Sequence, residues 1–374
     1  PVSAIDLSAG EDVTCTFTNT QKGHIVVDKV TVPSGSLQSF DFVAGGTGYN
    51  NFSLTDAATP NDQTLVPGSY SISETTPTGW DLTGTQCVSS LQDAEIAGSL
   101  ELDPGETITC TFTNTVRGKI LVTKQTLPDG DSAFFDFTSS YDADGFILSD
   151  GQTNDSGYLI PGTYSVAETG EAGWSLTNIT CTDQSLVTAI GISAGETVTC
   201  TFTNTKLGSI SGFKWEDVDG DGIWDAGEPT IANWLITLTN PDQSTTNTYT
   251  DDTGSYLFEN LLPGNYGLAE DEPSDWTKTY GTTGVVLSAG EESEDNNFGN
   301  FENIDITVCK AADADGLLAT TDDRTPVVDW AIDLSKNGNV IDDTQVTGQD
   351  GCYTWTNLGP GDYRPSEEPQ TGWT

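Results

Sequence analysis

The sequence predicts an all-β protein, a linear array of β-sandwich domains in tandem. Three observations predict this. The string Thr-Cys-Thr-Phe-Thr-Asn-Thr occurs at 14–20, 109–115 and 199–205, and repetition at a long period indicates repeated domains. Short alternating runs are separated by Pro-Gly turns, which is typical of sandwiches. No stretch of the sequence has the periodicity of an amphipathic helix.

The repeated string is interpreted as the closing strand of each domain. It alternates strictly, so that Cys110, Phe112 and Asn114 point to one face and the threonines to the other, as in a strand with one buried face. Its asparagine recurs at intervals of 95, 90 and 96 residues, the last time in a diverged string at 297–301. We expect this strand at an edge of its sheet.

The period divides the chain into an opening segment and four domains. Residues 1–20 align with 186–205, the end of a domain, so the opening segment is expected to be a closing strand without its own domain. The last domain stops after a Gly-Trp pair that recurs in earlier domains, before any closing strand. The predicted boundaries are 1–20 for the donor strand, 21–115, 116–205 and 206–301 for three sandwiches, and 302–374 for an incomplete fourth.

Two explanations fit a closing strand without a domain and a domain without a closing strand. In the first, residues 1–20 of one unit complete the fourth domain of the preceding unit, because a sandwich with a missing strand exposes an open ladder. In the second, the sequence is a window cut from a longer tandem chain, which also fits the absence of methionine. Both predict a head-to-tail array, of separate copies or of adjacent repeats.

Two further strands are visible in every repeat. An opening strand with a lysine near its end occurs at 24–30, 119–125, 209–215 and 305–311. A middle strand with a glutamate follows a Pro-Gly turn at 67–74, 161–168, 263–270 and 360–367. In the first two domains the lysine and the glutamate share a face with apolar residues of their strands, and the asparagine of the closing strand does the same. Because burying a lone charge is costly, the lysine, the glutamate and the asparagine must be stabilised in the core in the same way in each domain.

The chain is strongly acidic, with 57 Asp and Glu against 12 Lys and Arg and a formal net charge of −45. This charge excludes ordinary nucleic-acid binding, which needs a basic surface against phosphate. No apolar run approaches the roughly 18 residues of a membrane span, so no membrane insertion is expected. The composition fits a surface protein, a protein in high salt, or one that binds Ca²⁺.

Six of the seven cysteines fall in pairs within predicted domains, Cys87 with Cys110, Cys181 with Cys200, and Cys309 with Cys352. We predict three disulfides, formed in an oxidising extracellular compartment. A metal site is the poorer interpretation, because no CxxC occurs and His24 is the single histidine. Cys15 has no partner within the chain, and we expect one in the segment that the alignment places before residues 1–20.

The strands and their inward lysine, glutamate and asparagine resemble the collagen-adhesin B-type and SpaA-like pilin domains, which have an Ig-like, prealbumin-like sandwich. The resemblance implies an isopeptide bond between the lysine and the asparagine, assisted by the glutamate. Burial favours the neutral, nucleophilic lysine, and a protonated glutamate polarises the amide. The implied sets are Lys29, Glu74 and Asn114; Lys124, Glu168 and Asn204; Lys214, Glu270 and Asn300; and Lys310 and Glu367 with Asn19 of a donor unit.

The alternative to the covalent bond is a buried lysine–glutamate ion pair with the asparagine in an ordinary hydrogen bond, or a lysine that extends its ammonium group to solvent. The paired cysteines depart from the family's usual pattern. A disulfide beside the closing strand would make the isopeptide bond unnecessary for locking it.

A twelve-residue acidic loop in the third domain fits a Ca²⁺ site better than a merely solvated loop. Oxygen donors fall at positions one, three, five, nine and twelve, with Gly222 at the sharp turn and a main-chain carbonyl at position seven. The expected ligands are Asp217, Asp219, Asp221, Ile223, Asp225 and Glu228. The loop resembles that of serine–aspartate repeat adhesin B-type domains, which implies that Ca²⁺ is a cofactor that rigidifies the domain. A weaker candidate, with the wrong spacing, comprises Asp313, Asp315, Asp322 and Asp323.

The function expected from these features is that of a structural subunit or repeat unit of an extracellular filament or surface fibre. Copies or repeats would assemble head to tail by strand complementation, stiffened by disulfides, Ca²⁺ and isopeptide bonds. The alternative is the stalk or ligand-binding region of a cell-surface adhesin, which exposed aromatics in one non-repeating domain would favour. No enzyme is expected, because no Ser-His-Asp set, phosphate-binding loop or Cys-His pair is found.

Overall fold

The computed structural model of the protein describes residues 4–314 and 324–373, and leaves the side chains of 342–344 undescribed. The described chain is all β-strand, turn and loop, which confirms the predicted fold class. It therefore offers no helix of the length and hydropathy that would cross a membrane. By its contacts the chain divides into two compact units. One holds most of the first two predicted domains, and the other holds the last two with residues 126–131 and 170–177.

The first domain is a sandwich of two four-stranded sheets. Its strands are β1 (Gly23–Val32), β2 (Phe40–Gly45), β3 (Phe52–Leu54), β4 (Asn61–Leu65), β5 (Gly68–Thr75), β6 (Trp80–Ser89), β7 (Leu100–Leu102) and β8 (Thr107–Val116). The sheet orders are β4-β1-β8-β6 and β3-β2-β5-β7. Alternate residues of both sheets fill the core, among them Ile25, Val27, Phe40, Phe42 and Phe112.

The closing strand β8 lies in the middle of its sheet, so the expected edge position was wrong. It runs parallel to β1, with Lys29 opposite Phe112, and antiparallel to β6. Alternation along a strand shows which face is buried, but it does not show how many ladder neighbours the strand has. A domain without its closing strand therefore lacks a central strand and leaves two ladders open.

The second domain repeats this plan with shorter strands. They are β9 (Lys119–Leu127), β10 (Phe135–Ser139), β11 (Phe146–Leu148), β12 (Thr153–Asp155), β13 (Gly162–Tyr164), β14 (Val166–Glu168), β15 (Trp174–Cys181), β16 (Ile190–Ile192) and β17 (Thr197–Lys206). The sheet orders are β12-β9-β17-β15, β11-β10-β14 and β13-β16. The closing strand β17 is again central, beside the opening strand β9.

The third domain keeps the plan although it has no cysteine. Its strands are β18 (Gly208–Glu216), β19 (Leu235–Thr239), β20 (Thr245–Tyr249), β21 (Ser255–Leu261), β22 (Gly264–Glu270), β23 (Trp276–Gly281), β24 (Gly284–Leu287), β25 (Glu292–Ser293) and β26 (Phe298–Glu302). The sheet orders are β21-β18-β26-β23, with β25 beside β18, and β20-β19-β22-β24. The diverged string at 297–301 thus forms the central strand β26, parallel to β18.

The fourth domain has only part of this plan among its described residues. Its strands are β27 (Ile304–Cys309), β28 (Ala311–Ala312), β29 (Thr325–Pro326), β30 (Ala331–Lys336), β31 (Asn339–Val346), β32 (Cys352–Leu358) and β33 (Tyr363–Glu367). The opening strand β27 pairs with β32 alone, whereas β1 and β18 also pair with a parallel closing strand. The position of the closing strand is therefore open in the described fourth domain.

The structure contains all three predicted disulfides, Cys87–Cys110, Cys181–Cys200 and Cys309–Cys352. Cys87 and Cys110 lie opposite each other on β6 and β8, so this bridge anchors the closing strand. In the fourth domain the bridge instead joins β27 to β32. Cys15 is free and exposed.

The opening segment pairs with no strand of the described chain. Residues 4–20 form no strand and are exposed throughout. Phe17 is 82% exposed, whereas Phe112, its counterpart in the repeated string, is 2% exposed. The phenylalanine of the repeated string is thus buried in the first domain and exposed to solvent in the opening segment.

Candidate functional site

Lys29, Glu74 and Asn114 meet in the core of the first domain. Lys29 Nζ donates to Asn114 Oδ1 at 2.8 Å and lies 3.5 Å from Glu74 Oε2. The Asn114 amide in turn donates to Glu74 Oε1. Both charged side chains are completely buried. The structure therefore brings together a predicted set whose members are 85 residues apart at the extremes.

Burial shifts Lys29 toward the neutral amine and Glu74 toward the neutral carboxylic acid. Desolvation lowers the pKa of Lys29, although the charge of Glu74 opposes the shift. Desolvation also raises the pKa of Glu74, against the hydrogen bond from Asn114 and the charge of Lys29. A neutral amine beside a protonated carboxyl group is the state in which the amine can attack the amide carbon.

An aromatic ring lies against each of the four lysines, a feature that the sequence analysis missed. Lys29 Nζ lies 4.2 Å from the ring centroid of Phe40, and Lys124 Nζ lies 4.2 Å from that of Phe135. Lys214 Nζ lies 4.6 Å from a ring centroid of Trp234, and Lys310 Nζ lies 4.5 Å from one of Trp330. Each ring begins or directly precedes a strand that follows the lysine's own strand in its domain, namely β2, β10, β19 or β30. The repeated Phe-Asp-Phe at 40–42 and 135–137 was the available signal. A ring face stabilises the ammonium group without admitting water.

The second domain assembles the same buried pair. Lys124 Nζ lies 3.8 Å from Glu168 Oε2, with both side chains at most 1% exposed. The ammonium also donates to the carbonyls of Gln125 and Phe202 at 2.7 and 3.3 Å. Desolvation lowers the pKa of Lys124. Asn204 is buried on β17, two residues beyond Phe202.

The third domain differs from the first two because a second lysine lies beside the buried glutamate. Lys214 Nζ lies 3.5 Å from Glu270 Oε2, and Lys278 Nζ lies 3.8 Å from the other oxygen of the same carboxylate. Asn300 is buried on β26, and neither its side-chain oxygen nor its nitrogen has a hydrogen-bond partner among the described atoms. Desolvation lowers the pKa of Lys214 to about 8 and raises the pKa of Glu270 to about 7.

Replacing Glu270 by glutamine should remove a decline of stability with pH. The folded-state pKa of Glu270, about 7, lies above the usual 4.5, so its contribution is complete below pH 4.5 and is lost as pH rises through 7. This amounts to about 3 kcal/mol. In thermal unfolding experiments, the melting temperature of the third domain should therefore fall between pH 4.5 and pH 7 in the wild type and stay constant in E270Q. Glu259→Gln, at an exposed position of β21, is the control, and equal pH profiles for all three proteins would contradict the prediction.

The fourth domain holds two members of the set in an open site. Lys310 Nζ lies 2.7 Å from Glu367 Oε2, but the side chains are 24% and 50% exposed. They line a cavity of about 440 Å³, which also involves Val308, Ala311, Ile332 and Ser366. Asn19, the predicted third member, lies in the exposed opening segment. The structure of a single chain therefore does not bring Asn19 to Lys310.

The acidic loop of the third domain is organised around the buried Asp217. Its carboxylate accepts from the backbone N–H of Gly220 and Gly222, both at 2.7 Å, and of Asp221 at 3.2 Å. Gly222 has a φ of +79°, which fits the turn predicted at position six. Glu228 accepts from Val218 and Asp225 and so closes the loop. The sequence spacing thus folds into the compact loop that the motif requires.

The carboxylates of this loop form two overlapping groups that fit a cation. Asp217, Asp219 and Glu228 offer oxygens within 4.8 Å of one another, and so do Asp219, Asp221 and Asp225. The hydrogen bond from Asp221 lowers the pKa of Asp219, but burial and the surrounding carboxylates together raise it. A cation would relieve this repulsion, and the all-oxygen donor set suits Ca²⁺. The carbonyl of Ile223 remains a predicted ligand.

The weaker acidic candidate falls mostly outside the described residues. Asp315, Asp322 and Asp323 are not described, so only Asp313 can be placed, just beyond the short strand β28. It lines the cavity of the fourth domain.

Three parts of the chain match known domain families. Residues 25–116 and 123–202 each match a SpaA family described as a prealbumin-like fold domain. Residues 208–311 match the SdrD B-like domain. These matches confirm the predicted resemblance, including the assignment of the third domain to a different B-type family from the first two.

The curated relatives are longer proteins of Staphylococcus aureus. Serine-aspartate repeat-containing protein E is 30% identical over 189 residues, which cover 45% of this chain and 16% of that protein. Protein D is 25% identical over 240 residues, covering 58% and 18%. The chain thus spans about a sixth of the length of these relatives.

Among solved structures, the Bacillus anthracis TIE protein aligns over 96% of this chain and 71% of its own, with 15% identity and a TM-score of 0.33. BcpA, the major pilin subunit of Bacillus cereus, aligns over 75% and 100%, with 10% identity and a TM-score of 0.34.

The matched domains agree with the predicted extracellular localisation. They also support a role in a surface fibre or an adhesin stalk. The chain is therefore a cell-surface protein with two segments that match prealbumin-like SpaA domains and one segment that matches the SdrD B-like domain.

Proposed function

We propose that this chain is a non-enzymatic structural unit of an extracellular fibre, joined head to tail by exchange of a closing strand. The observation that carries the proposal is a matched pair of features. The fourth domain has an open position beside β27, and residues 13–20 are an unpaired segment with the repeated closing-strand string. The partner is a second copy of the chain, or the adjacent repeat if both belong to a longer polypeptide.

The register of the first domain indicates how the segment would insert. Lys29 lies opposite Phe112 on the parallel strands β1 and β8, so Lys310 would lie opposite Phe17 of the donor. The inward-facing side chains Cys15, Phe17 and Asn19 would then enter the cavity of about 440 Å³ beside Lys310 and Glu367. Pairing with β27 would restore the parallel ladder seen between β1 and β8 and bury apolar side chains that are now in solvent.

The inserted Asn19 would complete a set that can close covalently. Lys310 Nζ attacks the Asn19 side-chain carbon, a C–N amide bond forms, and the bond to the original amide nitrogen breaks. The nitrogen leaves as ammonia and takes up the proton lost by the lysine, which Glu367 transfers. The three complete domains carry the same chemistry within one chain. Such bonds suit a fibre under tension, because they cannot be pulled apart without breaking a covalent link.

Size-exclusion chromatography and electron microscopy of the purified chain test the assembly. We expect concentration-dependent linear oligomers, with a spacing of four domains per subunit. A chain that stays monomeric at all concentrations would contradict strand exchange between separate copies. If the natural polypeptide is longer and appears as a linear series of such domains, the exchange takes place between adjacent repeats of one chain.

Ca²⁺ would stiffen the third domain through the loop at 217–228. We expect Ca²⁺ at a hundred times its dissociation constant to raise the free energy of unfolding by about 2.7 kcal/mol. For a domain of this size that is a rise in Tm of roughly 10–20 °C. Asp217→Asn should abolish most of the rise, because this buried carboxylate organises the loop.

Asp252→Asn is the matched control, since Asp252 is exposed in the same domain outside the loop. Calorimetry with Ca²⁺ and with a chelator compares the three proteins. If D217N and D252N respond to Ca²⁺ equally, the loop is not the site.

A further inference from the structure

The third domain contains an aromatic pocket that the fibre proposal does not use. The pocket has a volume of about 290 Å³ and is lined by Trp215, Gly222, Ile223, Trp224, Tyr280 and Asn297. Its wall is formed partly by the middle of the acidic loop and partly by β18 and β23.

Two aromatic side chains of this pocket are presented to solvent. Trp215 is buried, at 1% exposure, and its ring is parallel to that of Trp224 within 5°, with centroids 5.9 Å apart. Tyr280 contacts the same indole with a centroid distance of 6.5 Å. Trp224 and Tyr280 are nevertheless 39% and 46% exposed, and Ile223 is 60% exposed. A local group of large exposed apolar faces is a feature of ligand-binding surfaces.

Polar groups with unused hydrogen-bonding capacity adjoin these faces. Asn297 Oδ1 accepts from the backbone N–H of Phe213 at 2.8 Å, which holds the amide in place and leaves its Nδ2 without a partner among the described residues. The buried indole N–H of Trp215 also lacks an acceptor there. Buried polar groups are normally hydrogen-bonded, and exceptions in a folded protein call for a reason such as a ligand or ordered water.

The charge around the pocket selects the class of ligand. No lysine or arginine lines it, and the chain carries a net charge of −45, which disfavours an anion. The adjoining carboxylates of the loop are directed at one another and fit a metal cation, so the loop does not supply a free negative charge to a second cation. A neutral ligand with an apolar face and a polar edge remains.

We propose that this pocket binds one neutral pyranose ring of a glycan. The C–H face of the sugar stacks on Trp224 and Tyr280, and a hydroxyl accepts from Asn297 Nδ2. The volume, at the lower end of the range of ligand sites, holds a single ring and leaves the rest of a glycan outside. The proposal is independent of strand exchange, and all measurements that test it are made with Ca²⁺ present so that the loop is held constant.

The test is binding of the full chain to an array of neutral glycans, followed by calorimetric titration with the best-bound saccharide. We expect Trp224→Ala and Tyr280→Ala each to weaken binding at least tenfold. Trp224→Phe, which keeps an aromatic face, should retain most of it. Tyr249→Ala is the matched control, because Tyr249 is 59% exposed on β20 of the same domain and outside the pocket. Thermal unfolding verifies that each variant is folded.

Three results would overturn the proposal. The wild-type chain could bind no neutral glycan on the array. Y249A could lose as much affinity as W224A, which would place binding elsewhere. Tetramethylammonium could bind with W224A-sensitive affinity where saccharides do not, which would make the pocket a cation site.

Discussion

Phe17→Ala should abolish head-to-tail assembly of the purified chain. In the first domain the corresponding Phe112 is 2% exposed and packs edge-to-face on Phe42, whereas Phe17 is 82% exposed in the free segment. Insertion into a fourth domain would bury this ring, and deleting a buried phenylalanine costs about 3–5 kcal/mol. The dissociation constant between units should therefore rise by at least about a hundredfold. Analytical ultracentrifugation over a range of concentrations measures it.

Leu37→Ala is the control for this experiment. Leu37 is 86% exposed in the loop between β1 and β2, so its truncation removes a similar amount of apolar surface without touching the donor segment. Because residues 4–20 form no strand, neither change should alter the stability of the four domains. Equal assembly by F17A and L37A would rule out insertion of this strand. Asn19→Ala separates insertion from bonding, because it should still assemble but dissociate under denaturing conditions.

Asn114→Ala should lower the intact mass of the chain by less than the substitution accounts for, and sharply destabilise the first domain. If Lys29 and Asn114 are joined, each chain has lost one ammonia at this site, and the variant cannot lose it. The bond would close a segment of 85 residues, and by the chain-entropy argument used for disulfides this restriction is worth about 4–5 kcal/mol. Loss of the buried hydrogen bonds adds to it. Intact-mass spectrometry and thermal unfolding measure both effects.

Lys29→Met with Lys22→Met as its control completes the test. Lys22 is exposed and lies outside β1, so K22M should keep the wild-type mass deficit and stability, while K29M should lose both. A wild-type mass equal to that of the unmodified sequence would contradict the covalent bond. The site would then be the buried ion pair, and removing one partner would still cost about 3–5 kcal/mol, because Glu74 would remain buried without its cation.

Strand alternation was sufficient to predict which residues face the core. Lys29, Glu74 and Asn114 were assigned to the inner face from period-two patterns alone, and the structure places all three there. Repetition supplied the rest, since three copies of one string locate equivalent strands without a structure. The disulfide between Cys87 and Cys110 was predicted because both cysteines fall in one repeat.

Other features depend on neighbours that no local pattern specifies. The closing strand β8 was expected at an edge and is central, because alternation does not count ladder partners. Lys278, the second cation beside Glu270, lies on β23 with no marker in the repeat. The ring beside each lysine lies outside the lysine's own strand, so alternation along one strand does not show that the two meet.

By itself, the sequence determined the tandem all-β organisation, the inward lysine, glutamate and asparagine, the disulfide pairs and the spacing of the acidic loop. These follow from periodicity and residue chemistry, which act over a few positions and repeat along the chain. The tertiary structure alone decided that the closing strand is central, that the Lys310 site is open, and that Trp215, Trp224 and Tyr280 share a pocket. These depend on which distant strands pair and on how much surface the pairing leaves exposed, and both are properties of the packed chain.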